Sequence, residues 1–567
     1  MNRNRNRNRN KKKRKIKIGP IIIALLVLII IVLTAMKILD KGATSIIYKT
    51  YYLASTENSI TLYTYNSETD KMEESDKFPR GTKIKSNNNI KTVGEVPYKE
   101  IILNDKTYYL SEIYLEENQK SVVKEKEKYV RTSVTVYKNE LDSKIESFIK
   151  KGNKIEIIDY DNIDNEGYVN MYKIKKDDIT GWVYAKYLVD TEEAALANYN
   201  ENNVYDTHKD RKYGRELYGG KASTLDYYPY EKPEFENNPI LKNAKSMYLN
   251  AGSNVIGNID KYLEIATTSG VNAIVVDLKD GALAYPMEVA KEYSMTAYNT
   301  AINSYDSYKN AIDKIKNAGI YVIGRIVVFN DSHYGKDHPE DCIKSNASSQ
   351  LWPSAYSRGA WEYNVELAKQ AIHDMGFNEI QFDYVRFPEQ AYNMSQSSST
   401  DFKNKYEEEK AEAVQNFLFY ATDQIHKEQV YLSVDVFGEC SGTYVTSYGQ
   451  YWPAISNIVD VVSSMPYTDH FGRNVDTWTN AYQTVNNWAK GAAERQTEIP
   501  TPAIARTWIT AYDTPYWNPT VTYDATKISD QARALVNAGL TGGFITWNSS
   551  SNINKYNQIK SAFAKDY

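Results

Sequence analysis

Acidic and basic side chains stand at the ends of short apolar runs in the carboxy-terminal part of this 567-residue chain. One run, EIQFDYVRFPE at residues 379–389, alternates apolar and polar side chains and contains Asp383 and Arg386. Another, YLSVDVFG, carries Asp435 and is followed by Glu439. Cleavage of a glycosidic bond needs two carboxyl groups, one protonated and one ionised. The pattern therefore predicts a two-carboxylate site with Asp383 as nucleophile and either Asp435 or Glu439 as general acid.

Further polar and aromatic side chains at the ends of such runs are candidates for binding the substrate. Carboxylates bond hydroxyl groups and aromatic rings stack on sugar faces, which suits an uncharged, polyhydroxylated ligand. Arg325 or Arg386 would keep Asp383 ionised, and Asp277 would hold substrate hydroxyls or an arginine. The predicted substrate-binding residues are Asp277, Lys279, Arg325, Arg386, Tyr467, Asp469, His470, Arg506, Trp508, Trp547 and Asn548.

Two other kinds of function compete with glycoside cleavage. A carbohydrate-binding barrel without turnover would keep the aromatic residues and need no raised carboxyl pKa. A metal-dependent hydrolase or deacetylase could use Asp331, His333 and His338, with His470 nearby, but the chain has only six histidines and lacks HExxH and a strand-end HxH. A GxSxG serine nucleophile motif is also absent. We therefore expect a hydrolase with no metal and no cofactor.

Eight strand-like runs would position these residues. Amphipathic helical stretches separate them, and several of these end at a glycine just before the next strand. Strand and helix repeated eight times predicts a (β/α)8 TIM barrel over residues 241–567. An open doubly wound sheet would need a glycine-rich phosphate loop, and neither GxGxxG nor GxxxxGKS occurs. The runs begin at residues 246, 273, 321, 379, 431, 461, 502 and 543.

In such a barrel Asp383 and Asp435 lie on the adjacent fourth and fifth strands at matching depth. Neighbouring strands are about 4.8 Å apart, so the two carboxyl groups can approach the close spacing of a retaining glycosidase, roughly 5 Å. A loop after the fifth strand could instead swing Glu439 inward as the acid. The arrangement favours a retaining mechanism and leaves the identity of the acid open.

The region before the barrel reads as a tandem repeat of small all-β modules. Residues 50–117 and 128–190 show short alternating runs broken by turn residues, and the copies end alike, as TYYLSEIYL and GWVYAKYLV. Residues 191–240 are polar and punctuated by proline, which predicts a linker. We expect no catalytic residue in either module.

The amino terminus has the pattern of a membrane anchor. Residues 1–17 hold ten Lys or Arg and no acid, and residues 18–36 carry no charge. Nineteen helical residues span about 28 Å, close to the thickness of a bilayer core, so the sequence predicts a signal anchor over residues 18–38. A cleaved signal peptide is the competing interpretation. The basic tail would remain cytoplasmic and place the barrel outside the cell. Without this tail, acidic residues clearly outnumber basic ones, which disfavours nucleic acid as a partner.

The barrel region resembles a family of bacterial surface proteins classed as glycoside hydrolases, with a barrel related to the α-amylase-like superfamily. The resemblance is carried by GVNAIVVDLKD, AGIYVIGRIVVFND, GFNEIQFDYVRFP, LSVDVFG, VVSSMPYTDHF and GGFITWN. It implies a glycosidase-like barrel with Asp383 as the fourth-strand nucleophile. Amylase-type enzymes have an arginine two residues earlier, where this chain has Gln381.

The second β module resembles the bacterial SH3-like domain in its KKGNKIEI strand and its closing Gly-Trp-Val strand. That resemblance implies a wall-targeting role, and a simple spacer is the alternative. The sequence as a whole predicts a membrane-anchored extracellular glycoside hydrolase that acts on a cell-surface or wall polysaccharide or a peptidoglycan-type glycan.

Overall fold

The computed structural model describes residues 27–32, 34, 48–199, 211–212, 215–216, 219–346, 348–472, 475–514 and 520–567. The described chain divides into two compact units. The first contains the described residues up to Glu125 together with Ile163–Tyr168, and the second contains Lys126–Asn162 and Val169–Tyr567. Apart from residues 163–168, the second β module therefore belongs to the same compact unit as the barrel.

The predicted membrane anchor over residues 18–38 is wrong. Among the residues that the structure describes, no helix is both long enough and apolar enough to cross a membrane. Of the predicted span only residues 27–32 and 34 are described, and the basic tail over residues 1–17 lies outside the described residues. This finding overturns the predicted single-pass anchor and the membrane localisation that depended on it.

The first unit is built on an eight-stranded antiparallel sheet with the order β3-β2-β7-β6-β4-β1-β8, and β5 pairs with β6. Alternate side chains of its strands enter one apolar core, whose members include Leu62 and Tyr108. The strands are β1 (Lys49–Leu53), β2 (Ser59–Asn66), β3 (Lys71–Pro79), β4 (Lys83–Ser86), β5 (Ile90–Val93), β6 (Val96–Leu103), β7 (Lys106–Leu110) and β8 (Leu115–Glu116).

The second β module forms a seven-stranded antiparallel sheet with the order β11-β10-β14-β13-β12-β9-β15. The two predicted SH3-like barrels are thus an eight-stranded and a seven-stranded sheet, and the all-β character alone is retained. The strands are β9 (Glu127–Val130), β10 (Val134–Tyr137), β11 (Ile145–Ile149), β12 (Lys154–Tyr160), β13 (Met171–Lys176), β14 (Ile179–Tyr184) and β15 (Leu188–Val189). A short helix, α1 (Glu192–Leu196), and a hairpin of β16 (Arg211–Lys212) and β17 (Arg215–Glu216) follow.

The carboxy-terminal region is a nearly closed parallel barrel of nine strands instead of the predicted eight. The difference arises at Arg506, where the seventh strand is interrupted: β25 pairs with β24, and β26 pairs with β27. The order is β25-β24-β23-β22-β21-β19-β18-β27-β26, with β20 antiparallel to β19. The strands are β18 (Ala244–Leu249), β19 (Ala273–Asp280), β20 (Ala282–Leu283), β21 (Tyr321–Val327), β22 (Glu379–Asp383), β23 (Tyr431–Phe437), β24 (Val461–Met465), β25 (Ile504–Ala505), β26 (Thr507–Thr510) and β27 (Gly543–Trp547).

Helices follow the barrel strands and end as predicted at glycines. Gly270 and Gly376 adopt left-handed backbone conformations at φ 81° and 69°, which a residue without a Cβ accommodates at little cost. The helices are α2 (Ser253–Gly257), α3 (Ile259–Ser269), α4 (Ala290–Tyr293), α5 (Met295–Asn299), α6 (Tyr305–Asn317), α7 (Ser332–Asp337), α8 (Arg358–Met375), α9 (Ala391–Ser395), α10 (Lys410–Lys427), α11 (Trp452–Ser456), α12 (Val475–Thr479), α13 (Ala481–Thr497), α14 (Ala525–Asn537) and α15 (Ile553–Phe563).

The interior of the barrel is filled in layers by side chains at alternate positions of the strands. On β22 these are Glu379 near the amino end, Gln381 in the middle and Asp383 at the carboxyl end, all buried. The register pairs Arg325 of β21 with Gln381 and pairs Phe382 with the residue before Asp435 on β23. The carboxyl-end layer therefore brings together charged residues from adjacent strands, as a barrel active site requires.

Candidate active site

Four carboxyl groups surround the buried guanidinium of Arg325. Its Nη2 donates to Oδ2 of Asp383 at 2.7 Å and its Nε donates to the same oxygen at 3.2 Å. Its Nη1 donates to Asp277 at 2.6 Å and to Asp280 at 3.3 Å. Oδ2 of Asp435 lies 3.8 Å from Nε. One cation from β21 thus joins the ends of β19, β22 and β23.

The surroundings of Asp435 favour a carboxylic acid that retains its proton. Burial raises the pKa of Asp435 well above its usual range, the nearby Asp383 raises it further, and Arg325 opposes the shift. Its Oδ1 accepts a hydrogen bond from Trp508 Nε1 at 2.7 Å. Its Oδ2 has no hydrogen-bond partner among the described residues. A buried oxygen without a donor disfavours the anion, so the geometry and the pKa agree on a protonated group.

Asp277 is held between a cation and a phenol. Burial raises the pKa of Asp277 to about 6, and Arg325 opposes that shift. Tyr248 donates its hydroxyl hydrogen to Oδ2 of Asp277, and Arg325 donates to Oδ1. Tyr248 did not emerge from the sequence as a candidate, although its alternate position on β18 points it into the barrel beside the residues that did.

Aromatic rings enclose the charged cluster. The Arg325 guanidinium carbon lies 5.7 Å from the ring centroids of both Tyr248 and Trp547. Trp508 packs edge-on to Trp547, and Tyr467 stacks against Trp547 with centroids 6.3 Å apart. Trp547 remains half-buried. These rings exclude water from one side of the cluster, which strengthens the interactions between its charges.

The chain turns sharply after Asp383. Tyr384 has a φ of 54°, a left-handed conformation that is rare for a side chain of this size, and its backbone N–H donates to Oδ1 of Asp383 at 2.6 Å. Arg386 lies 4.6 Å from the Tyr384 ring and 5.4 Å from the ring of Trp352, and it donates to a backbone carbonyl. Arg386 therefore supports the loop, and the guanidinium that contacts Asp383 belongs to Arg325.

Lys279 does not join the cluster. The register shifts between Asp277 and Lys279, so that Asp277 pairs with Arg325 and Lys279 pairs with Ile326. This bulge reverses the direction of the next side chain. Lys279 is 1% exposed and forms an ion pair of 2.5 Å with Asp331, which also caps α7.

Arg506 lies at the opposite end of the barrel interior. Its Nη1 contacts both carboxylate oxygens of Glu379, at 2.8 and 3.0 Å, and both side chains are fully buried. Glu379 is the first residue of β22, four residues before Asp383. The side chain of Arg506 is therefore committed to this pair and does not contact the carboxyl-end cluster.

The remaining predicted residues lie around the rim. Asp469 accepts from Tyr512 at 2.7 Å, and His470 is exposed with its ring 5.2 Å from that of Tyr467. Asn548 is buried and donates to the carbonyl of Asn552. Glu439 is exposed just beyond β23 and accepts hydrogen bonds from the hydroxyls of Tyr444 and Tyr448.

In the loop after β21, which carries His333 and His338, polar side chains pair with other protein groups instead of converging on a metal site. His338 bonds the carbonyl of Tyr293 and the carboxylate of Glu340, and Asp331 is paired with Lys279. Over the described part of the chain, no group of three or more His, Cys, Asp or Glu side chains is placed to hold a metal ion.

Comparison with known proteins gives one family match. Residues 246–553, more than half of the chain, match the family DUF4015, described as "Putative glycosyl hydrolase domain". No curated protein matches the chain.

Solved structures that are similar to parts of the chain include a hypothetical protein from Ruminiclostridium thermocellum ATCC 27405, with 30% identity over 34% of this chain and 97% of that one, at a TM-score of 0.28. The spore cortex-lytic enzyme SleL of Bacillus megaterium QM B1551 is 12% identical over 57% of this chain and 75% of its own, at a TM-score of 0.36. The C-terminal domain of a putative chitinase from Desulfitobacterium hafniense DCB-2 is 11% identical over 57% of this chain and 99% of that one, at a TM-score of 0.37.

Proposed function

Since the chain belongs to the glycosyl hydrolase family that its barrel matches, we propose that it cleaves O-glycosidic bonds of a polysaccharide or peptidoglycan-type glycan with Asp383 and Asp435. The single observation that carries this proposal is the contrast between the two carboxyl groups beside Arg325. Asp383 accepts two hydrogen bonds from the guanidinium. Asp435 has one oxygen that accepts no hydrogen bond from any described residue, and burial raises its pKa. One group is paired with the cation, and the other is a buried carboxyl suited to donate a proton.

In the first step, Asp435 donates its proton to the glycosidic oxygen while an oxygen of Asp383 attacks the anomeric carbon. The bond to the leaving sugar breaks with its electron pair on the protonated oxygen, and a glycosyl ester of Asp383 forms. In the second step, the Asp435 carboxylate takes a proton from water, and the water oxygen displaces Asp383. This is the retaining sequence of a two-carboxylate glycosidase.

Arg325 couples the two steps. Its Nε lies within 3.8 Å of Oδ2 of both Asp383 and Asp435. The two carboxyl groups therefore lie beside the same guanidinium, a placement compatible with the spacing of roughly 5 Å in a retaining enzyme. When Asp435 loses its proton, the same guanidinium stabilises the second anion as the first becomes an ester. Asp277 and Tyr248 hold the guanidinium in place from the other side.

Glu439 is the alternative acid. It is exposed at the end of β23, where a substrate could reach it, but the hydroxyls of Tyr444 and Tyr448 both donate to it. Both of its oxygens therefore already accept hydrogen bonds. A barrel that binds sugars without turnover is the alternative function, and it would gain nothing from a buried carboxyl with a raised pKa.

The test uses the full-length chain with Asp383→Asn, Asp435→Asn and Glu439→Gln on a panel of polysaccharides, peptidoglycan and short aryl glycosides. We expect turnover to fall at least about 1,000-fold in the first two variants and to change little in the third, with retained anomeric configuration by NMR. Asp306→Asn, at an exposed aspartate in the first turn of α6, is the matched control. Hydrolysis that persists in Asp383→Asn would refute the nucleophile, inverted products would refute the retaining mechanism, and binding without turnover in the wild type would favour the binding barrel.

A further inference from the structure

Four tyrosines lie on the outer face of the first β module. On β2 the side chain of Leu62 enters the core. Tyr63 and Tyr65 occupy the alternate positions of the strand, so they point to the outer face. Tyr109 of β7 and Tyr98 of β6 occupy the same outer face. All four are half-buried. The outward face of an antiparallel sheet is ordinarily polar, so a set of adjoining rings there is a distinct feature.

The rings form a continuous surface. Tyr63 is the cross-strand partner of Tyr109, and its ring centroid is 6.1 Å from that of Tyr98. The centroids of Tyr65 and Tyr109 are 6.4 Å apart. Lys91 Nζ lies 3.4 Å from the centroid of Tyr65 and ends the row with a hydrogen-bond donor. We call Tyr63, Tyr65, Tyr98 and Tyr109 the tyrosine platform.

The second β module shows what happens when the matching face is occupied. Tyr137 is paired across the strands with Trp182 of β14 as Tyr63 is paired with Tyr109 of β7. Tyr137 is 1% exposed and stacks on Tyr420 of α10 with centroids 6.1 Å apart. In the second module this face is therefore filled by a helix of the barrel.

The same helix docking would not suit the first module. In the second module, Lys186 of the short 3₁₀ turn after β14 forms an ion pair of 2.6 Å with Asp423 of α10. The corresponding middle residue of the turn after β7 is Ile113, which is 72% exposed. Among the described residues the first module has no counterpart of this ion pair. Its four rings stay half-buried, and the hydroxyl of Tyr65 donates to Asp70 at 2.9 Å.

We propose that the tyrosine platform binds a polysaccharide chain, stacking on sugar rings while the phenol hydroxyls and Lys91 bond sugar hydroxyls. Aromatic side chains that combine an apolar ring with a polar edge are suited to such ligands. The choice of a glycan as occupant rests on the proposed function, because the barrel of the same chain is assigned a glycan as substrate. The platform would hold the polymer that the barrel cleaves.

The test is sedimentation of the full-length chain with insoluble chitin, cellulose and peptidoglycan sacculi, using Asp383→Asn so that binding is measured without turnover. We expect retention on at least one polymer and a loss of at least 10-fold in apparent affinity when Tyr63→Ala and Tyr109→Ala are added. Tyr63→Trp should retain binding, since it keeps a stacking ring. Tyr168→Ala, at a 54% exposed tyrosine outside the platform, is the matched control and should bind normally. Unchanged melting temperatures show that the variants fold.

A second measurement separates this proposal from the assignment of the barrel. With Asp383 intact, Tyr63→Ala with Tyr109→Ala should cleave short soluble glycosides at the wild-type rate and insoluble polymer more slowly. Loss of polymer binding without any turnover in the wild type would support the platform and refute the barrel chemistry. Polymer binding that is unchanged in the double variant, or retention on no polymer, would overturn the platform. A self-association that the double variant abolishes would also overturn it, in favour of a protein occupant.

Discussion

At the scale of single residues, Arg325 determines the electrostatics of the site. Its Cα partner across the sheet is Gln381, the residue two positions before Asp383. Amylase-type barrels, which the sequence resembles, carry an arginine at the position of Gln381. Here the guanidinium comes from the adjacent strand at the same level and still reaches Asp383 at 2.7 Å. Gln381 instead donates to Ser463. Gln381 therefore supplies no cation to Asp383 in this chain, and Arg325 of the adjacent strand does.

The indole of Trp508 tunes the acid. The hydrogen bond from Trp508 Nε1 to Asp435 lowers the pKa of Asp435 against the larger effect of burial. Trp508→Phe removes that donor and keeps most of the ring, so the pKa of Asp435 should rise. The acid then stays protonated to higher pH, and the alkaline limb of kcat/KM should move upward by about 0.5 to 1 pH unit, the equivalent of one hydrogen bond. The measurement is the pH profile of kcat/KM on a cleaved glycoside.

Trp488→Phe provides the control for that experiment. Trp488 is also buried and its indole donates to the carbonyl of Gly438, at the end of the same strand region but away from the carboxyl groups. Its variant should leave the alkaline limb in place. An alkaline limb that moves downward in Trp508→Phe, or that moves equally in both variants, would exclude Asp435 as the acid.

At the scale of elements, alternation along a strand predicts which side chains share a face only where the strand is regular. Asp383 ends β22, Asp435 lies two residues before the end of β23, and the register places them on the same layer. Lys279 also fits the alternation, but the bulge after Asp277 reverses its direction. A bulge depends on how two strands pair, which a single run of residues does not encode.

The interrupted seventh strand shows a second limit of pattern reasoning. Alternation correctly indicates that Arg506 and Trp508 face the interior, since Trp508 bonds Asp435 and Arg506 bonds Glu379. It does not reveal depth, because an inward residue can belong to the amino-end or the carboxyl-end layer. Arg506 pairs at the amino end because its partner Glu379 starts β22. Depth follows from the stagger of neighbouring strands, which is a property of the assembled barrel.

The two buried arginines allow a matched comparison of the barrel ends. Arg325→Met and Arg506→Met each leave buried carboxylates without their cation, so each should lower the free energy of unfolding by about 3 to 5 kcal/mol. At a temperature where both variants are folded, kcat/KM should fall by at least about 100-fold in Arg325→Met and stay within about threefold of the wild type in Arg506→Met. Chemical denaturation and steady-state kinetics measure the two effects. A loss of turnover in Arg506→Met as large as that in Arg325→Met would indicate general damage to the barrel.

At the scale of the whole molecule, the second β module and the barrel share one packed unit. Asp423 of α10 accepts hydrogen bonds from Lys186 and Tyr187 of the module, at 2.6 and 2.8 Å, and from Tyr230 at 2.5 Å. Tyr187 also packs edge-on against Phe419 with centroids 5.3 Å apart. The sequence predicts the module from its strands, but it does not predict this docking, because the contacts join residues more than 190 positions apart.

The segment predicted as a linker takes part in the same packing where it is described. Asp226 is bonded by Arg131 of the module, and its backbone N–H donates to Gln415 of α10. Lys232 is half-buried and donates to the carbonyl of Val459 at 2.6 Å. Proline and polar residues indicate a connection between elements, but they do not show whether that connection is packed. This segment therefore connects the second β module and the barrel through packed contacts as well as through the chain itself.

Two shortened chains test whether the second β module contributes to the stability of the barrel. A chain of residues 126–567 keeps every contact of Asp423, and we expect it to retain turnover of soluble glycosides. A chain of residues 240–567 leaves Asp423 without its three donors and exposes Phe419 and Tyr420, which are buried in the intact protein. Loss of a buried charge's partners costs about 3 to 5 kcal/mol, so we expect its melting temperature to fall by at least about 5 °C, with aggregation in light scattering. Equal melting temperatures for the two chains would show that the second module is an independent domain, and that its docking on α10 contributes little to the stability of the barrel.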